Sequence, residues 1–377
     1  MQFSLSRSIG RRAALGGTLG GTLGAAVLSC DGVRAQPVGG PVPAGGLARA
    51  DGSGLQPRID VHAHFLPPGY RAAAIAAGHE HPDGTPGLPR WDVGFALDMM
   101  DSLNIRAAML SISSPGVHFG DDGAARKLAR EVNEEAARAA HDHPGRFGLF
   151  AALPLPDVDG AIAEAAYALD VLGADGVGVE TNHRGIYMGD PRFDPLFAEL
   201  NRRRAVVFMH PTSPTCPCCQ TMSQATPLGY PRPMIEFMFE TTRAVTNLLL
   251  TGTMDRFPDI RLIVPHAGAA VPVLADRIAG LSPFLNLPNP VQPDKFFANL
   301  RRLYYDLAGF PLPRLAPVLM EIADPMHVLY GSDWPFTPLP VVTQCARDLE
   351  GTPVFDDALR TRILHDNALG LFPRLRA

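Results

Sequence analysis

From residue 58 onward, short apolar runs alternate with longer stretches of helical period. The runs cover 58–64, 107–112, 147–153, 175–180, 205–210, 261–266, 303–306 and 327–332. Most are continuously apolar rather than alternating, the pattern of parallel strands covered on both faces. Between them, 121–141 sets charges among alanines and leucines at helical spacing. The stretch 157–172 is alanine-rich and opens on Asp157, and 194–204 ends in three arginines, which suits a helix C-terminus. Further helical patterns cover 235–251, 271–281, 314–322 and 356–369. Eight strand–helix units predict an α/β fold of the (β/α)8 barrel type. An open, doubly wound sheet is the competitor, but no G-x-G-x-x-G follows the first run, so a dinucleotide fold has no support. Residues 58–377 therefore read as one barrel domain.

The first 57 residues follow a different pattern. Residues 6–12 read SRSIGRR, and a weakly apolar, glycine-diluted stretch follows to residue 29. A basic segment before an apolar one predicts a signal peptide, here over 1–35 with cleavage after Ala35. The adjacent Arg11 and Arg12 before a glycine-rich stretch match the twin-arginine type, so a periplasmic location is expected. A lipid anchor through Cys30, after Val27, Leu28 and Ser29, is the alternative. The Pro/Gly/Ala-rich residues 36–57 read as a linker.

Composition narrows the class. Of 377 residues, 37 are glycine and 37 proline, close to low complexity, yet 46% are hydrophobic and 19% charged, which excludes a disordered chain. A net charge of −5 argues against non-specific nucleic-acid binding. Lys127 and Lys295 are the lysines, and the remaining basic residues are scattered arginines that form no basic stripe. No apolar run of spanning length follows the leader, so no membrane span is expected. Five cysteines exclude a disulfide-dense scaffold. Cys216, Cys218 and Cys219 match no zinc-module spacing. They read as a loop disulfide in an oxidising compartment or as free thiols in a reducing one, and Cys345 reads as core.

Candidate chemistry concentrates where the strands end. The first run closes on Asp60-Val61-His62-Ala63-His64, and residues two apart on a strand share a face. His62 and His64 should therefore point together into the barrel mouth. The fifth run ends in His210, the sixth in His266, and Asp333 follows the eighth. The C-terminal strand ends of a barrel form its active-site rim. His62, His64, His210 and Asp333 thus converge as candidate ligands of one Zn²⁺ ion. His266 is left to face the open coordination position, where its ordinary pKa suits proton transfer, and Asp333 is placed to share that work. Orientation of a ligand is the alternative role for His266. His118 and His183, on loops after the second and fourth runs, rank behind these and are expected to face solvent. His79, His81, His141, His143 and His365 read as surface residues.

The stretches IDVHAHFLP at 59–67, VFMHP at 207–211, VPHAG at 264–268 and YGSDWPF at 330–336 together resemble the amidohydrolase superfamily, in its amidohydrolase-related branch of metal-dependent decarboxylases. The resemblance runs to NALGLF at 367–372. RFGLFAALPL at 146–155 and FETTRAV at 239–245 are most similar to the 6-methylsalicylate decarboxylase subgroup. The resemblance implies a (β/α)8 barrel, one zinc ion on His62, His64, His210 and Asp333, and His266 as the acid–base residue. It implies non-oxidative decarboxylation of an aromatic, salicylate-type or unsaturated carboxylic acid with no organic cofactor. Arg243 and Trp91 lie in stretches that supply substrate contacts in relatives, and Trp334, beside Asp333, is counted with them. A dimer or tetramer is expected by the same analogy. Two departures stand out: Ala267-Gly268-Ala269 replaces the usual glycine pair, and no tryptophan occupies 220–233.

Two rival readings remain at this point. The same ligand set could activate water against a lactone or amide, with Asp333 or His266 as base. No lysine ends a predicted strand, which argues against a binuclear, lysine-bridged hydrolase. A non-enzymatic binding or metal-storage barrel predicts a missing ligand or base, and none is missing.

Overall fold

A computed structural model describes residues 54–215, 230–287 and 290–376. The leader, most of the linker, and Cys216, Cys218 and Cys219 lie outside the described residues. Eight parallel strands form the sheet: β1 (Arg58–His64), β2 (Ile105–Ser111), β3 (Phe147–Ala152), β4 (Gly176–Glu180), β5 (Val206–His210), β6 (Arg261–Val264), β7 (Tyr304–Asp306) and β8 (Val328–Leu329). Each pairs with the next in chain order. The ring closes where the backbone beyond β8 meets β1: Val61 donates to the Tyr330 carbonyl at 3.0 Å and His64 to that of Trp334 at 2.8 Å. The eight predicted runs match these eight strands, and the fold is a (β/α)8 barrel.

The helices begin where the sequence supplies caps. Asp121 accepts a hydrogen bond from Ala124 N–H ahead of helix Asp122–Asp142, and Asp157 does the same for Gly160 ahead of Val158–Asp170. Such carboxylates satisfy the free amides of a first helical turn and favour its dipole. Helices Pro68–Ala76, Val93–Ser102, Pro293–Arg302 and Leu339–Gly351 also form. Their short or proline-led patterns do not stand out from the surrounding turns. Beneath the histidines of β1 lies an apolar column. Phe208 sits 4.8 Å from His62 and stacks on Phe150 at 5.3 Å, and Phe150 meets Phe372 of the C-terminal segment at 5.7 Å.

Two predicted strands end early, at the places that carry chemistry. β6 stops at Val264, and His266 (φ 55°), Ala267 (φ 53°) and Ala269 (φ 56°) adopt left-handed backbone. β8 stops at Leu329, and Asp333 (φ 58°) lies in the turn that follows. Non-glycine residues held there cost free energy and recur at functional sites. Gly331 permits the second departure: a Cβ at that position would come 2.8 Å from the His62 Cβ.

Candidate active site

Strand alternation carries His62 and His64 inward from β1, β5 delivers His210, and the turn after β8 delivers Asp333. One ligand atom from each lies within 4.8 Å of all the others. The Nε2 atoms of His62 and His64 are 3.1 Å apart, and Asp333 Oδ1 is 3.1 Å from His64 Nε2 and 3.4 Å from His62 Nε2. Donors about 2.0–2.2 Å from a tetrahedral ion stand roughly 3.3 Å from one another. The spacing and the nitrogen–oxygen donor set therefore suit a divalent metal.

The rings are held from behind. His62 Nδ1 meets Asp306 Oδ2 at 3.0 Å, and His64 Nδ1 meets Ser111 Oγ at 3.0 Å. Asp306 Oδ1 accepts from the backbone N–H of both His266 and Ala308 at 3.0 Å. Asp60 Oδ1 accepts from His62 N–H and Ser332 N–H, tying β1 to the turn that bears Asp333. Partners of this kind set which imidazole nitrogen faces the metal.

Electrostatics follow from these contacts. Burial works against a proton on His62, but the Asp306 and Asp333 carboxylates outweigh it and lift the ring to about 10. Burial would raise Asp333, yet the neighbouring imidazoles of His266, His62 and His64 hold it well below the usual range. Burial lowers His64 and, more strongly, His210, where neighbouring imidazoles add to the effect. Neutral imidazoles and an ionised carboxylate are the forms that ligate a cation, and a metal and the His62 proton compete for one cradle.

Beside the cradle opens a cavity of about 510 Å³. His210, His266 and Asp333 line it, with the polar residues Asp83, Thr85, Ser113, Ser114 and Thr337 and an apolar set that includes Met234, Phe237, Phe310 and Phe336. No arginine or lysine lines it among the described residues. His266 Nε2 is 3.8 Å from Asp333 Oδ2, so a histidine and a ligand carboxylate flank the same space.

The three residues assigned to substrate contact do not line this cavity. Arg243 lies on helix Glu236–Leu250 with 57% of its side chain exposed, and its Nη1 donates to Glu240 Oε1 at 2.5 Å beside an outer groove. Trp91 packs on Phe65 at 5.7 Å. Trp334 is 3% exposed, packs on Phe95 at 5.4 Å, and serves β1 through its carbonyl. The expectation that His118 and His183 face solvent needs correction. The His118 side chain is 7% exposed and pairs with Asp122 at 2.8 Å, while His183 Nε2 accepts from Glu180 N–H at 3.2 Å. Both line a smaller cavity of about 230 Å³ with His79, which is half-buried rather than a surface residue. His81, His143 and His365 are likewise half-buried, and His141 is exposed. Cys345 is also half-buried. Ser111, Asp306 and Asp60 were missed by sequence reasoning. The available signal was position, since all three lie on or at the ends of predicted strands, but a lone serine or aspartate there does not announce which ring it holds.

A barrel whose strand ends gather three histidines and a carboxylate defines a class: a (β/α)8 enzyme with a divalent-metal cradle at its mouth. Residues 59–374 match the amidohydrolase family. The chain is 39% identical over 328 residues to decarboxylase yanB of Aspergillus niger, covering 85% of this chain and 88% of that protein. It is 36% identical over 330 residues to 6-methylsalicylic acid decarboxylase acuB of Aspergillus aculeatus, covering 85% and 97%. A solved structure described as amidohydrolase II superposes with a TM-score of 0.78 at 34% identity over 84% of this chain and 99% of its own. The chain belongs to the amidohydrolase family, in its decarboxylase branch. No helix among the described residues is long and apolar enough to cross a membrane.

Proposed function

We propose that the protein is a metal-dependent, non-oxidative decarboxylase of a salicylate-type aromatic acid, with zinc as its ion. The observation that carries this reading is the cavity. Phe237, Phe310, Leu315 and Phe336 give it an apolar, aromatic face, and among the described residues it offers a carboxylate no arginine or lysine, so the one cationic anchor there is the metal cradle. His62, His64, His210 and Asp333 would hold a divalent ion, which would supply a positive site for the substrate carboxylate. Phe237, Phe310 and Phe336 pack against the ring and exclude water. His266 holds a proton at Nε2, beside Asp333, and delivers it to the ring carbon that bears the carboxylate. A C–H bond forms there, the C–C bond to the carboxylate breaks, its electron pair returns to the ring, and CO₂ leaves. One proton is consumed per turnover, so His266 must be reprotonated from solvent.

Metal analysis coupled to CO₂ release from 6-methylsalicylate and related hydroxybenzoates tests this. One equivalent of zinc, with activity lost to a chelator and restored by the ion, is expected. Manganese in zinc's place would correct the ion and leave the chemistry. Turnover of lactones or amides with no CO₂ from any hydroxybenzoate would replace the reading with hydrolysis on the same cradle. We further propose twin-arginine export of the folded enzyme and cleavage after Ala35. The arginine pair in the leader supports this, and cell fractionation with N-terminal mass analysis checks it. A homo-oligomer is proposed by analogy to the family, to be checked by light scattering.

A further inference from the structure

We propose that Glu180 is a positioning residue for His210, accepting a hydrogen bond from its Nδ1–H and so presenting Nε2 to the metal. The inference rests on the divalent-metal reading of the cradle. Two of the three cradle histidines have an evident partner on Nδ1: Asp306 for His62 and Ser111 for His64. His210 has none within hydrogen-bond distance, and its Nδ1 is buried and unsatisfied. Glu180 Oε2 is also buried and unsatisfied, and it lies 3.8 Å from that nitrogen. Two complementary polar atoms, both cut off from water and only a few tenths of an ångström beyond hydrogen-bond range, fit a contact that closes when the ring is locked.

The backbone makes the pairing specific. Glu180 and His210 end β4 and β5 and are register partners, so their side chains leave the sheet on the same face. Thr181 N–H donates to the His210 carbonyl at 2.9 Å, fixing the two strand ends against each other. His210 is the one ion-pair partner of Glu180 among the described residues. With Nδ1 turned to Glu180, Nε2 is the nitrogen left for the cradle, as it is for His62 and His64. A carboxylate behind a ligating imidazole fixes the tautomer and raises ligand basicity, and its loss typically weakens metal binding by about 10–100-fold.

The test measures metal affinity directly, by zinc titration of the apo-protein against a competing chelator, so it does not depend on which acid is decarboxylated. Glu180→Leu, which keeps the bulk and removes the acceptor, should bind zinc about 10–100-fold more weakly. Glu180→Gln, whose amide oxygen can still accept, should bind within a few-fold of the parent. The visible bands of the cobalt-substituted protein should shift in the leucine variant and be restored in the glutamine variant, a change that loss of packing alone would not produce. Glu180→Asp carries the test if the leucine variant fails to fold, with weaker binding expected because the carboxylate is withdrawn by one methylene. Zinc affinity within twofold of the parent in the leucine or aspartate variant overturns the assignment. So does equal loss in the leucine and glutamine variants. A parent protein that binds no divalent ion overturns both this and the metal-dependent reading, whereas a tight zinc site without decarboxylation removes only the decarboxylase reading.

Discussion

The two sides of the cavity are built differently. The cradle stands on strand ends: His62, His64 and His210 are nearly or fully buried and sit on hydrogen-bonded backbone, with Asp306 and Ser111 behind the rings. The apolar part of the lining is carried by helix Glu236–Leu250 and by the turns bearing Phe310 and Phe336. Phe310 is 73% exposed and Met234 66%. In the proposed function, the rigid side holds the metal that the carboxylate chemistry needs, and the looser side chooses the ring. Barrels separate the two tasks in this way because strands place side chains within fractions of an ångström while the connecting loops vary at little cost to the fold.

The sharpest way to break the contrast is on the rigid side. His266→Ala should lower the rate of CO₂ release by about 10²–10⁴-fold, the scale of a positioned proton donor, with metal content unchanged. Retained activity would remove His266 from the reaction. On the looser side, Phe237 lies in the first turn of the wall helix and packs edge-on to His210 at 6.0 Å. Phe237→Ala should lower kcat/KM by roughly 10-fold and shift the preference among ring-substituted hydroxybenzoates, while zinc affinity stays within a few-fold. An unchanged preference would mean that this wall does not select substrate.

The smallest effect belongs to a histidine outside the cradle. His183 accepts from Glu180 N–H and so must be neutral, and burial, with the charge of His118 added, holds its pKa down to about 3. Its unfolded value is near 6.5, so the unfolded chain takes up a proton first as pH falls. The stability His183 contributes is present above pH 6.5 and is lost as pH falls from there toward 3. His183→Gln, which keeps an acceptor but no titrating group, should lose roughly 1–3 °C less Tm than the parent between pH 7 and pH 5. Parallel acid sensitivity of the two proteins would show that His183 does not titrate this way.

Much of the fold and of the cradle is legible in the chain, for physical reasons that differ. Continuous apolar runs must be strands covered on both sides, so eight of them in alternation with helices leave few architectures. His62 and His64 are readable because a strand's two-residue period puts them on one face whatever else the chain does. Asp306 is not readable in that way. It ends β7, six strands along the chain from the β1 histidine it holds, and a lone aspartate after two tyrosines looks like a turn residue. Arg243 and Trp91 show the opposite failure: their stretches carry a resemblance, but which face of the helix or loop looks into the cavity is settled by packing.

By itself the sequence determined the barrel, the strand-end ligands and the family, because each depends on local periodicity or on residue types at fixed offsets. Tertiary structure alone decided which carboxylate or hydroxyl stands behind each ring, where His266 turns off its strand, and which apolar residues face the substrate space. Those depend on side chains that are distant in the chain meeting within about 3 Å. No pattern along the chain encodes that distance until the barrel closes.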